Sequence, residues 1–128
     1  MRMIPHRSVE GVYPPSGGYA HAIELRGPDR LVFVSGTMGL DPRGAPGATL
    51  EVQLDLIWSN IRKILASAGM TVDDIVRVTS YLRDPAYADA NADARGRALG
   101  GRPVPTTVLV ARTLESDWLV EIEVIAAA

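Results

Sequence analysis

The closing segment SDWLVEIEVIAAA constrains this chain more than any other stretch. Side chains alternate across a β-strand, so Trp118, Val120, Ile122 and Val124 share one face, and Leu119, Glu121, Glu123 and Ile125 share the other. The first face is apolar throughout and belongs in a core. The second sets two carboxylates where aliphatic residues are expected, which makes it either a solvated sheet edge or part of a site. The segment before it, RPVPTTVLVAR, reads as a companion strand, so the chain closes on two adjacent strands.

Upstream, His21–Arg26 (HAIELR) suits a short strand and Leu31–Ser35 (LVFVS) a stronger one, with Gly27, Pro28 and Asp29 turning between them. From Leu50 to Ala68 the apolar residues Leu50, Leu54, Ile57, Trp58, Ile61, Ile64, Leu65 and Ala68 recur at helical spacing, and Gly69 stops the run. Trp58 at that spacing is most simply core, and Trp118 a residue packed on the sheet. Ile75–Leu82 is a further strand, with Arg77, Thr79 and Tyr81 on one side and Val76, Val78, Ser80 and Leu82 on the other. Asp84 and Pro85 open a second helix that runs to about Leu99, before Gly100 and Gly101. The order is therefore ββαβαββ. It predicts an α+β domain, residues 1–128, with a mixed sheet and both helices on one face. The free sheet face is not especially polar and aromatics are only 5% of the chain, which points to burial against copies of itself as a symmetric homo-oligomer.

The 13 basic and 15 acidic residues are spread along the chain without a basic stripe, so no nucleic-acid partner is expected. Cysteine is absent, which removes disulfides, thiolate catalysis and zinc–thiolate sites. The two histidines lie far from any acidic cluster, so neither a metal nor another cofactor is expected. No apolar run nears the roughly 20 residues of a membrane span. The opening MRMIPHRSVEG lacks the apolar core of a signal peptide, so His6 sits on a loose terminus and the expected setting is cytoplasmic, away from membranes.

The segments YPPSGGYAHAI, LVFVSGTMGLDPRG, NIRKILASAGMTVDDIVRVTSYLRD, YADAN, VLVAR and LVEIEVIA, taken together, resemble the Rid (YjgF) family of reactive-intermediate deaminases, once labelled endoribonuclease L-PSP. The resemblance runs from about Tyr13 to the last residue. It implies a chorismate-mutase-like α+β fold and a homotrimer, with small-molecule clefts at the subunit interfaces. In the family such a cleft takes an imine or enamine bearing a carboxylate. An arginine clamps that carboxylate and a glutamate on the last strand handles the water's proton.

Carried over by that resemblance, Glu121 matches the catalytic glutamate. Tyr19, Ser35, Gly36 and Asn91 match ligand-contacting positions, and Thr107 falls where the family often has cysteine, still offering its backbone N–H and C=O. The arginine's place is held by Pro105, in Pro103-Val104-Pro105-Thr106. Proline has no donor to give a carboxylate. Arg102, three residues away, and Arg77, on the neighbouring strand, either swing into the gap or stay solvated beside it. Other roles stay open: Glu123 pairs across an interface or faces solvent, Tyr19 touches ligand or only packs its loop, and Asn91 touches ligand or braces its helix. His21 is a cleft acid/base or an ordinary partly exposed histidine. Ser35 lacks the G-x-S-x-G elbow of an activated nucleophile. Three functions follow: a hydrolase of imines, enamines or related reactive metabolites centred on Glu121, a trimer that binds a small metabolite without turnover, and a ribonuclease, against which the acidic balance counts.

Overall fold

A computed structural model describes all 128 residues. Its strands are β1 (Arg2–His6), β2 (Ala22–Arg26), β3 (Leu31–Met38), β4 (Ile75–Leu82), β5 (Thr106–Val110) and β6 (Val120–Ala127); its helices are α1 (Leu50–Ser67) and α2 (Ala88–Leu99). The main sheet runs β3-β6-β4-β5, with β6 antiparallel to both neighbours and β4 parallel to β5. It is the expected mixed α+β sheet with two helices packed against it. β5 and β6 are neighbours in sequence only, because β4 lies between them. No helix is long and apolar enough to cross a membrane.

Two features depart from the expected layout. Arg2–His6 is a strand, not a loose terminus, and β2 pairs with it in a separate two-stranded ribbon instead of joining the main sheet. Its sequence, RMIPH, hides the strand: proline and basic residues break the alternation that marks a half-buried strand. His6 lies 3.8 Å from Glu24 across that ribbon. At the second helix, Asp84 caps a short 3₁₀ turn, Pro85–Tyr87, by accepting from the Ala86 N–H, and the α-helix begins only at Ala88.

Helix α1 is built as its sequence dictates. Thr49 Oγ1 accepts from the Val52 N–H at 3.2 Å, and Leu54, Ile57, Trp58, Ile61 and Leu65 form the buried stripe. Gly69, at φ +69°, lets the chain fold back so that Met70 N–H reaches the Leu65 carbonyl and Gly69 N–H the Ala66 carbonyl. That paired closure is available at low cost only to a residue tolerating left-handed backbone. The stripe packs on Val78, Leu82, Val120, Ile122 and Val124, all nearly or wholly inaccessible to solvent.

One polar residue inside this packing ties the layers together. Gln53, 2% exposed, donates to the carbonyls of Gly47 (2.9 Å) and Asp117 (2.8 Å) and accepts from the Leu119 N–H at 3.0 Å. It thereby holds the entry to β6 against α1. Gly39 passes so close to the Gln53 backbone that a Cβ there would stand 2.5 Å from Gln53 Cα. Gln53→Leu keeps the volume and strands three backbone groups, so it is expected to cost about 3 kcal/mol in stability, read as a lowered urea midpoint with unchanged slope.

Candidate functional site

The uncovered face of the main sheet carries the residues with chemistry. Glu121 and Glu123 on β6 lie beside Tyr81 and Thr79 on β4, which in turn pair with Leu109 and Thr107 on β5. The core face of the same strands is sealed, whereas Glu121 and Glu123 are only half-buried.

Glu121 sits over a break in β3. The pairing of β3 with β6 shifts between Val34 and Thr37, so Ser35 and Gly36 bulge from the ladder. A Cβ on Gly36 would collide with the Glu121 carboxylate, its carboxyl carbon standing 2.9 Å away and Oε2 nearer still. The glycine is therefore the space the carboxylate occupies. Partial burial, helped by the neighbouring Glu123 charge, raises the Glu121 pKa above the ordinary glutamate range. Glu123 Oε1 accepts from the Tyr81 hydroxyl at 2.7 Å, a bond that raises the Tyr81 pKa and fixes Glu123 in place. Around Glu121 is a concavity of about 190 Å³ walled by Tyr81, Thr113 and Leu114. Its rim is shaped by Arg83, which donates to the Thr113 carbonyl at 2.9 Å and to the Thr113 hydroxyl at 3.0 Å.

A second, larger cavity of about 490 Å³ lies on the other side of β4. Tyr19, Pro105 and Thr107 line it with Tyr13, His21, Arg77 and Arg95. The Gly17-Gly18 pair, at φ +79° and +78°, bends the loop that brings Tyr19 there. His21 holds the loop's base: its Nδ1 accepts from the Val9 N–H at 3.0 Å, and its Nε2 lies 2.8 Å from the Tyr13 carbonyl. Those bonds assign the neutral, Nε2-protonated tautomer and occupy both ring nitrogens, which makes His21 a loop anchor. Pro105 lies just before β5, its carbonyl accepting from the Val78 N–H at 3.1 Å.

One chain thus brings Ser35, Gly36 and Glu121 together and, apart from them, Tyr19, Pro105 and Thr107. Asn91 joins neither group. It is wholly buried on α2, lines none of these cavities, and neither amide atom finds a partner. Of the two cations considered for the gap at Pro105, Arg102 is committed elsewhere, donating to the carbonyls of Val72 (2.8 Å) and Ile75 (2.9 Å). Arg77 does face the cavity, donating to Thr107 Oγ1 at 2.6 Å. Arg95, a buried cation there, escaped sequence reading because at helical spacing in an alanine-rich segment it looks like a solvated surface arginine. No three His, Cys, Asp or Glu side chains cluster in a way that could hold a metal ion.

Comparison with known proteins agrees with this architecture. The family described as Endoribonuclease L-PSP matches residues 11–128. A RutC family protein of Escherichia coli, YjgH, is 35% identical over 98 residues, 75% of this chain and 74% of its own. A RutC family protein of Pyrococcus abyssi is 32% identical across 88% of this chain and 87% of its own. Among solved structures, the Rid-family protein YyfB of Yersinia pestis superposes over the whole of both chains with a TM-score of 0.84 at 25% identity. RidA from a Psychrobacter species shares the fold, with a TM-score of 0.73 at 20% identity over 96% of this chain and 94% of its own.

Two predictions follow from the geometry at Glu121. Because the folded state holds the Glu121 proton more tightly than the unfolded chain does, its ionisation opposes folding once pH rises through the ordinary and then the raised pKa. Below both values that penalty is absent. Glu121→Gln is therefore expected to raise Tm at neutral pH, with the gain shrinking towards zero in acid, as checked by melting curves across pH. Gly36→Ala is expected to keep the fold, since only the end of a flexible side chain must move. The displaced carboxylate then titrates nearer the ordinary range, measurable by carbon-13 NMR of the labelled carboxyl.

Proposed function

This chain belongs to the endoribonuclease L-PSP family, the Rid (YjgF) family, and on that premise we propose that it is a single-domain (residues 1–128), deaminase-like hydrolase of small reactive imines or enamines. In this reading it works as a cytoplasmic homotrimer with no cofactor. The observation that carries the reading is Glu121: a carboxyl with a raised pKa, on an uncovered sheet face, over a glycine that leaves it room. A carboxyl moved towards neutrality can both accept and return a proton. Water adds to the C=N carbon while Glu121 takes its proton. Passed on to the nitrogen, that proton completes a carbinolamine, and the same carboxyl then relays the carbinolamine's hydroxyl proton to the nitrogen as the C–N bond breaks, leaving a carbonyl compound and ammonia. Tyr19, Ser35, Gly36, Pro105 and Thr107 are the ligand-contacting positions by resemblance, whereas Asn91, matched to the same set, is buried away from both cavities and serves through the packing of α2.

The trimer is supported by what a single chain lacks. Thr107 and Glu123 are separated by Thr79 on β4, so the two groups of site residues stand about two strand spacings, roughly 10 Å, apart across the sheet. A neighbouring subunit laid on the uncovered face would bring one chain's Glu121 to another's Tyr19 and Thr107. Exposed apolar residues on that face suit such burial: Phe33 is 71% exposed and Leu109 on the edge strand 40%. Because by resemblance Pro105 stands where the family has its carboxylate-binding arginine, the reading ranks the arginine-dependent hydrolysis of 2-aminoacrylate below other imines.

Ammonia release from a panel of imines lacking the amino-acid carboxylate is expected for the wild type, falling about 100-fold or more in Glu121→Gln. 2-Aminoacrylate is expected to react poorly until Pro105→Arg restores a clamp. Sedimentation is expected to give three times the monomer mass. Ligand-dependent thermal stabilisation with no ammonia from any member of the panel would leave a metabolite-binding trimer instead.

A further inference from the structure

The cavity beside Pro105 has an unbalanced charge. Arg77 reaches it from β4 and Arg95 from α2, yet no aspartate or glutamate lines it. The only ion pairs in the molecule lie on the β1–β2 ribbon, both made by Glu24. Arg95 is 8% exposed, and its one hydrogen bond goes to the Gly17 carbonyl at 3.3 Å. A guanidinium has five N–H donors, and a desolvated one is normally paired. Unlike Arg102, whose Nε is sealed without a partner, Arg95 has no sealed and unbonded nitrogen, and it lines both this cavity and a smaller one of about 80 Å³ beside the Gly17-Gly18 loop. Burial lowers the Arg95 pKa, the direction expected of a cation lacking a counter-ion.

We propose that this cavity binds a small dianion, a dicarboxylate or a phosphate monoester, between the guanidiniums of Arg77 and Arg95, with Tyr13, Tyr19 and Thr107 around it. The volume of about 490 Å³ exceeds what such a ligand needs and falls within the range of small-molecule sites. Two cations without an acid select for two negative charges: a monoanion leaves one guanidinium desolvated and unpaired. The clamp is thus rebuilt on other elements, not restored at position 105, and the charge it matches has doubled. The site is half of the cleft described above, so the assignment rests on the functional reading for its setting, but it is read out by binding and needs no turnover.

The test is isothermal titration of the full-length protein at low salt with malonate, inorganic phosphate and acetate. Malonate, phosphate or both are expected to bind at least tenfold more tightly than acetate, with affinity falling as salt is added. Malonate alone would identify a dicarboxylate site, and phosphate alone a phosphoryl site. Arg77→Ala and Arg95→Met are each expected to weaken binding at least tenfold. If Arg95→Met fails to fold, Arg77→Ala and the charge-keeping Arg95→Lys, expected to lose bidentate affinity only in part, decide the matter. Equal affinity for acetate, no binding at millimolar concentration, or binding indifferent to both arginines overturns the assignment. In that event imine hydrolysis dependent on Glu121 would still stand. Conversely, dianion binding that follows the arginines beside turnover indifferent to Glu121→Gln would sink the hydrolase reading and keep this one.

Discussion

Strand β6 is the constraint on which the rest depends. It lies between β3 and β4 and is hydrogen-bonded along both edges, so its residues cannot move without disturbing three strands. Its alternation divides the molecule: Val120, Ile122, Val124 and Ala126 point into the helix-covered core, and Glu121 and Glu123 face away. Val120, Ile122 and Val124 each contribute about 1.5–3 kcal/mol of burial, which fixes the register. A slip of one residue would drive both carboxylates into the core. The position of the carboxylates is thus a by-product of the strongest packing in the protein. Gln53 adds a second lock by holding Leu119, the residue just ahead of the strand, to α1.

Placement on a central strand also explains why burial raises the Glu121 pKa even though Arg112 lines the same concavity. A carboxylate at a sheet edge would be solvated on several sides. Here the ladder supplies two walls, and the bulge at Ser35 and Gly36 lets the carboxyl settle against the backbone of β3. Glu123, two residues on, adds like charge but is itself held by the Tyr81 hydroxyl. The two acids therefore differ in setting: Glu123 is bonded to the Tyr81 hydroxyl, and Glu121 is confined, with its pKa raised.

Legibility in the sequence followed the strength of the periodic signal. The strand β6, the stripe of α1 and the alternation of β4 are long and regular, and the structure places their faces as the spacing requires. Glu121 was readable because a carboxylate inside an apolar alternation is conspicuous. The ribbon of β1 was not readable, since five residues containing a proline carry no period. Strand order was also beyond local reading: nothing in RPVPTTVLVAR says that it pairs in parallel with β4 and not with the strand that follows it. Asn91 and Arg95 share a limit, because neighbours from other elements, not helical spacing, decide that both are buried on α2.

Pro105, which by resemblance stands at the family's arginine position, shows why a motif must be read together with its surroundings. Residue by residue, Pro105 only subtracts: it offers no donor. In three dimensions it lines a cavity whose two cations come from other elements, one through the parallel pairing of β4 with β5 and one from α2. Arg77 is already braced by Thr107 on the adjoining strand, so its orientation is set before any ligand arrives. Arg95 is braced by the Gly17 carbonyl of the loop that carries Tyr19, which couples the buried cation to the aromatic wall. Preorganised donors lose less freedom on binding than free surface arginines would. With Glu121 on a rigid central strand and the arginines at the neighbouring edge, the proposed charge recognition could change there without disturbing the carboxyl on β6.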